Sequence, residues 1–145
     1  MNVIILSEFN LIKSTCKQAF RNFSGIDRIL TINPMNVLGA IQEKKYSSLG
    51  IGKPDIIVID IDTSKLNSSY FDLANELINK DISFGGDNPI VAILSSRSQY
   101  DFFLSNYLED GKLNDVKHDL EYIQKPYTLF GLNEFIKNLL SVRRY

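Results

Sequence analysis

The sequence predicts an α/β fold: a doubly wound, five-stranded parallel sheet with five helices. Three features lead there. Short apolar runs alternate regularly with amphipathic stretches, the third and fourth runs are apolar almost throughout, and the series reads as five strand-then-helix units. Strands covered by helices on both faces are continuous apolar runs rather than alternating ones. Strand-helix units in series imply parallel strands joined by right-handed crossovers.

The strands are expected at Val3 to Leu6, Ile29 to Ile32, Ile56 to Ile61, Ile90 to Leu94 and Tyr122 to Ile123. Between them the apolar spacing changes to that of a helix, about 100° per residue. Phe9, Ile12, Cys16, Ala19, Phe20 and Phe23 form the first inward stripe. Val37, Leu38 and Ile41 follow Pro34, which suits a first helical turn. Tyr70, Leu73, Ala74 and Leu77 make a third stripe, and Tyr100, Phe103, Leu104, Tyr107 and Leu108 a fourth. The fifth helix should run from about Thr128, a capping residue, to Val142, with Leu129, Leu132, Ile136, Leu139 and Leu140 inward.

The 145 residues fit one domain, 1–145, without repeats, low-complexity tracts or a linker. A net charge of −1 gives no electrostatic case for direct nucleic-acid binding or for a membrane surface. The start, MNVIILSEFN, has no cationic segment and only four apolar residues in a row, which speaks against a signal peptide or a membrane span. A lone cysteine, Cys16, forms no internal disulfide and suits a cytoplasmic setting. It lies on the core stripe, where it reads as a small hydrophobe. His118 has no His or Cys near it, so it makes a poor metal ligand.

In open parallel sheets the chemistry sits at the carboxyl ends of the strands. Strand one exits into Ser7-Glu8, strand three into Asp60-Ile61-Asp62-Thr63, strand four into Leu94-Ser95-Ser96, and strand five into Gln124-Lys125-Pro126. Carboxylates, small hydroxyls and a lysine would thus meet on one rim. Carboxylate oxygens suit Mg²⁺, which takes one or two of them and keeps several waters, and the lysine would balance the charge. A carboxylate held beside a cation is equipped to attack phosphorus. Phosphate loops of the Gly-x4-Gly-Lys type, the Gly-x-Gly-x-x-Gly dinucleotide signature and the Gly-x-Ser-x-Gly elbow are all missing.

On these residues the chain resembles the receiver domains of response regulators. Pro54 to Asp60, PDIIVID, matches the family's strand-three signature, whose terminal aspartate accepts the phosphoryl group. The segment Gln124 to Leu140, QKPYTLFGLNEFIKNLL, matches the lysine-proline, aromatic and last helix. The resemblance spans about residues 2 to 142 and implies a flavodoxin-like strand order, 2-1-3-4-5. It implies roles as well: Asp60 as phosphoacceptor, Lys125 as conserved-type lysine, Ser95 as switch hydroxyl, Tyr122 as the aromatic reporting activation, and Glu8, Asp60 and Asp62 as holders of Mg²⁺. The implied function is phosphorelay signalling, with phosphate from a sensor histidine kinase or phosphotransfer protein and output to a downstream protein target. The chain would be no enzyme beyond its own phosphorylation and dephosphorylation. A homodimer through the fourth helix, fifth strand and fifth helix is a further implication; Phe102, which helical spacing puts opposite the inward stripe of the fourth helix, would either mark that face or be buried beneath the polar stretch Glu109 to Asp119.

Three departures stand beside the likeness. Ser7-Glu8 replaces two adjacent acids, which implies weakened Mg²⁺ binding; the switch position falls on Leu94, one residue before Ser95; and Thr63 stands where a proline is usual. A one-residue slip turns a strand side chain to the opposite face. The alternative function is therefore a pseudo-receiver, a protein-interaction module that signals without phosphate. Plainer roles also exist: Glu8 as a first-turn helix acid, Asp62 as a solvated loop acid, and Tyr122 as packing.

Overall fold

The structure is a computed structural model, and it describes residues 1–37, 54–61, 73–74, 89–107 and 120–143. Five strands form the sheet: β1 (Asn2–Leu6), β2 (Arg28–Ile32), β3 (Ile56–Asp60), β4 (Ile90–Ser95) and β5 (Leu120–Gln124). Their order is β2-β1-β3-β4-β5, and every pairing is parallel. Three helices have defined bounds: α1 (Asn10–Arg21), α2 (Arg97–Tyr107) and α3 (Leu129–Arg143). The last two are the fourth and fifth helices expected from the sequence. Residues 34–37 and 73–74 are also helical, while Leu38, Ile41, Tyr70 and Leu77 lie outside the described residues.

Alternation along the strands divides the core into two layers. Val3, Ile5, Ile56, Val58, Ile90, Ala92, Leu94 and Ile123 pack against α1 and α3 through residues such as Phe20, Leu132 and Ile136. Ile4, Leu6, Ile57, Ile59, Val91 and Ile93 face the other way, onto Val37, Leu73, Ala74 and Phe103. Every residue of β3 and β4 is buried, as apolar runs covered on both sides should be. Each such Ile, Leu or Val contributes roughly 1.5–3 kcal/mol relative to exposure.

Several expected boundaries move. β5 runs from Leu120 to Gln124, longer than Tyr122 to Ile123. Among the described residues it is an edge strand paired with β4 alone, so polar Glu121 and Gln124 interrupt the apolar signal without breaking the ladder. β4 continues to Ser95, one residue beyond Leu94. Phe9 is not inward but 39% exposed, because it precedes α1 rather than lying in it. Leu129, the first residue of α3, is also outward, at 64%. Thr128 does cap that helix, its Oγ1 accepting the Gly131 N–H at 2.9 Å. Gly25, at φ 89, makes the turn into β2 with a backbone that side-chain-bearing residues rarely adopt.

Cys16 is fully buried beneath β1, and burial pushes its thiol up from 9.0 to about 11. Burial also raises Tyr100 and Tyr127. A group whose folded pKa is raised stabilises the fold below its unfolded pKa and loses that stabilisation as pH climbs through the folded one. For Cys16 this is about 3 kcal/mol on full ionisation. The melting temperature is therefore expected to stay level up to about pH 9 and fall between there and about pH 11. Calorimetry across that range checks this, and a fall already complete by pH 9 would contradict it.

Candidate functional site

The site follows from the register at the carboxyl edge of the sheet. Leu6 pairs with Ile59, Asp60 with Leu94, and Leu94 with Ile123. Side chains two residues apart share a face. Ser7, Asp60, Leu94 and Lys125 therefore project on the α1/α3 side, from the ends of four strands.

Asp60 is 2% exposed, and a carboxylate so buried is costly unless it is paired and hydrogen-bonded. Both conditions are met. Lys125 Nζ donates to Oδ1 at 2.6 Å, and Ser7 Oγ donates to Oδ2 at 2.9 Å. Ser7 Oγ in turn accepts the Phe9 N–H at 3.0 Å, and the Phe9 ring centroid lies 5.9 Å from Lys125 Nζ. The Lys125-Pro126 peptide is cis, and Lys125 N donates to Ser95 O at 2.8 Å. Asp60 and Lys125, expected as partners on one rim, are brought together.

Ser95 is not brought to Asp60. Its Oγ donates to Ser96 O at 2.8 Å, and alternation turns it to the face opposite Leu94. No bulge corrects the slip, because the Asp60-Leu94 pairing continues without interruption into Ser95-Gln124. Leu94 occupies the place opposite Asp60. Tyr122 shares the Ser95 side; its hydroxyl donates to Ser95 O at 3.2 Å, and its ring stacks on Tyr100 with centroids 3.8 Å apart.

Glu8 is exposed, and Asp62 lies outside the described residues. Among the described residues no three His, Cys, Asp or Glu side chains form a metal-ligand group. Asp60 and Glu8 could supply one or two carboxylates to a hard ion that keeps most of its waters, as Mg²⁺ does.

Beside the site an open apolar groove of about 600 Å³ runs between Leu11, Ile12 and Thr15 of α1 and Pro126, Tyr127 and Leu129 after β5, with Lys125 at its edge. Thr15 Oγ1 and the Tyr127 hydroxyl lie 2.9 Å apart and tie the groove's two walls together. Ser7, expected on the rim as the residue leaving β1 and standing in the place of an acid, is bonded directly to Asp60, a contact that its position at the strand end could have signalled. The Thr15–Tyr127 bond gave no signal, because the two residues are 112 apart in sequence.

No protein-family model and no curated protein matches the chain. Solved structures do match it in fold. The response regulatory domain of protein mrkE from Klebsiella pneumoniae superposes with a TM-score of 0.63 at 16% identity, over 100% of both chains. A CheY-like receiver domain from Methanospirillum hungatei JF-1 gives 0.58 at 14%, covering 99% of this chain and 98% of that one. A LuxR-family DNA-binding response regulator from Staphylococcus aureus gives 0.58 at 18%, covering 97% of each. With the 2-1-3-4-5 parallel sheet and a buried aspartate paired to a lysine at its carboxyl edge, the chain has the fold of a response-regulator receiver domain.

Proposed function

We propose that this chain is a phosphorelay receiver that accepts a phosphoryl group on Asp60 from a phosphohistidine of a sensor kinase or phosphotransfer protein. The observation that carries the reading is the 2.6 Å pair of Lys125 with a 2%-exposed Asp60 at the sheet's carboxyl edge. A buried ion pair is weak evidence of a purely stabilising role, and this one stands where open α/β sheets place their chemistry. An Asp60 oxygen attacks phosphorus, the O–P bond forms, and the P–N bond to the donor imidazole breaks with its electron pair leaving on nitrogen. Lys125 is placed to balance the charge that the transferred oxygens bring. Bound Mg²⁺, held through Asp60 and Glu8, would supply further neutralisation of that charge. Output passes to a downstream protein, and no helix among the described residues is long and apolar enough to cross a membrane. Phe102, 51% exposed on α2, marks the face proposed for a partner or a second copy.

Incubation with acetyl phosphate and Mg²⁺ should add the mass of one phosphoryl group, and Asp60→Asn should abolish the gain. Leu94 opposite Asp60 also supports a second reading, a pseudo-receiver that binds its partner without phosphate. Absence of the mass gain in the unaltered protein would select it.

Ser7→Asp tests the metal. A second carboxylate about 3 Å from Asp60 repels it when no ion is present and attracts a cation when one is. The variant is expected to bind Mg²⁺ more tightly and to be less stable without it. Titration followed by tyrosine fluorescence, with melting in chelator, measures both, and unchanged affinity would remove Ser7 from the metal rim.

A further inference from the structure

We infer that Ser7, at the end of β1, supplies the hydroxyl that senses the state of Asp60, and that the resulting change is carried into α1 rather than into β4 and α2. This inference rests on the reading of Asp60 as phosphoryl acceptor and says where its signal goes.

Two observations close the β4 route. Leu94 stands opposite Asp60 and has no hydroxyl to offer, while the Ser95 hydroxyl lies on the other face and is donated to Ser96 O. Two others open the β1 route. Ser7 Oγ is fully buried and bridges Asp60 Oδ2 at 2.9 Å to the Phe9 N–H at 3.0 Å. Lys125, the partner of the other carboxylate oxygen, lies 5.9 Å from the Phe9 ring. Ser7 and Lys125, two groups that hold Asp60, therefore also reach Phe9, one through its backbone N–H and one over its ring.

Phe9 is the N-cap residue of α1 and gives that helix no side-chain cap. The Phe9 N–H bond to Ser7 ties the start of that helix to the end of β1. Phosphorylation changes what Ser7 can bond. Acetyl phosphate gives its phosphoryl to an Asp60 oxygen as the P–O bond to acetate breaks and the electron pair leaves with acetate. Whichever oxygen takes the phosphorus, Oδ2 stops being a carboxylate oxygen and becomes a weaker acceptor, while phosphoryl oxygens appear beside it. Hydrogen bonds to charged oxygens are the stronger ones, so the Ser7 O–H turns toward the phosphoryl group. The lone pair it offers to Phe9 N–H turns with it. Phe9 and Leu11, 39% and 75% exposed, carry the change to the surface.

The test is an amide chemical-shift map of the full chain with Mg²⁺ and saturating beryllofluoride as the phosphoryl mimic. The unaltered protein should show its largest shifts at Phe9 to Lys13 and smaller ones along α2. Ser7→Ala should reduce the Phe9 to Lys13 shifts by more than half at saturation, and Ser7→Thr, which keeps the hydroxyl, should restore them. Leu94→Thr, which adds a hydroxyl opposite Asp60, should bring new shifts into Ser95 to Tyr107 and decides the matter should Ser7→Ala not fold. Unreduced α1 shifts in Ser7→Ala, or an α2 response in the unaltered protein that Leu94→Thr does not enlarge, would overturn the route through Ser7 while leaving Asp60 as acceptor. No spectral change at all in the unaltered protein would instead overturn the acceptor reading, and this inference with it.

Discussion

Lys125→Ala is expected to cost about 3–5 kcal/mol of stability at neutral pH, the penalty for leaving a buried charge without its partner. Asp60 is 2% exposed and receives its cation at 2.6 Å, so truncation leaves the carboxylate with Ser7 but without a positive charge at that distance. The Lys125 side chain is 17% exposed, and water entering the vacated space should hold the loss toward the lower end of the range. Two controls identify the cause. Acidification should narrow the deficit, because a protonated Asp60 carries no charge to compensate. Adding Asp60→Asn to Lys125→Ala should recover part of the loss, since the orphan charge is then absent and the two sites are directly coupled. Urea unfolding at two pH values measures all of this; a loss below about 1 kcal/mol would place the pair in the range of solvated surface ion pairs.

Phe103→Ala and Phe102→Ala, adjacent on α2, should differ by several kcal/mol. Phe103 is fully buried in the layer formed by Ile4, Ile57, Ile59, Val91 and Ile93. Truncating such a ring removes its transfer free energy and leaves a cavity, together about 3–5 kcal/mol. Phe102 is 51% exposed, and its loss should stay within about 0.5–1 kcal/mol. A partner or second copy that uses this face would then lose affinity with Phe102→Ala while the melting temperature barely moves. A large stability loss from Phe102→Ala would show that the ring packs as core and would remove it from the interface.

What the sequence made legible was governed by periodicity and burial. β3 and β4, enclosed on both sides, announced themselves as apolar runs, and the stripe of Cys16, Ala19 and Phe20 placed α1 on one face. The ends were harder to read. Phe9 and Leu129 fit their helical stripes but stand at the very starts of their helices and are exposed, so a matching position there does not mean burial. β5 was shortened because an edge strand tolerates Glu121 and Gln124. At the site, the convergence of Asp60 and Lys125 was legible because strand ends alone determine it. The side on which Ser95 falls depends on register: only the uninterrupted pairing of Asp60 with Leu94 shows that no bulge turns the hydroxyl toward Asp60. Asp62, expected among the holders of Mg²⁺, lies outside the described residues.

The central claim, that Asp60 accepts the phosphoryl group, is tested most directly by finding the modified residue. After treatment with acetyl phosphate and Mg²⁺, borohydride reduces an acyl phosphate to an alcohol, and peptide mass spectrometry then reads which aspartate was converted. Conversion at Asp60, and its loss when Mg²⁺ or acetyl phosphate is left out, is the result expected here. Conversion at Asp62 with Asp60 intact, or no conversion at either, would contradict it.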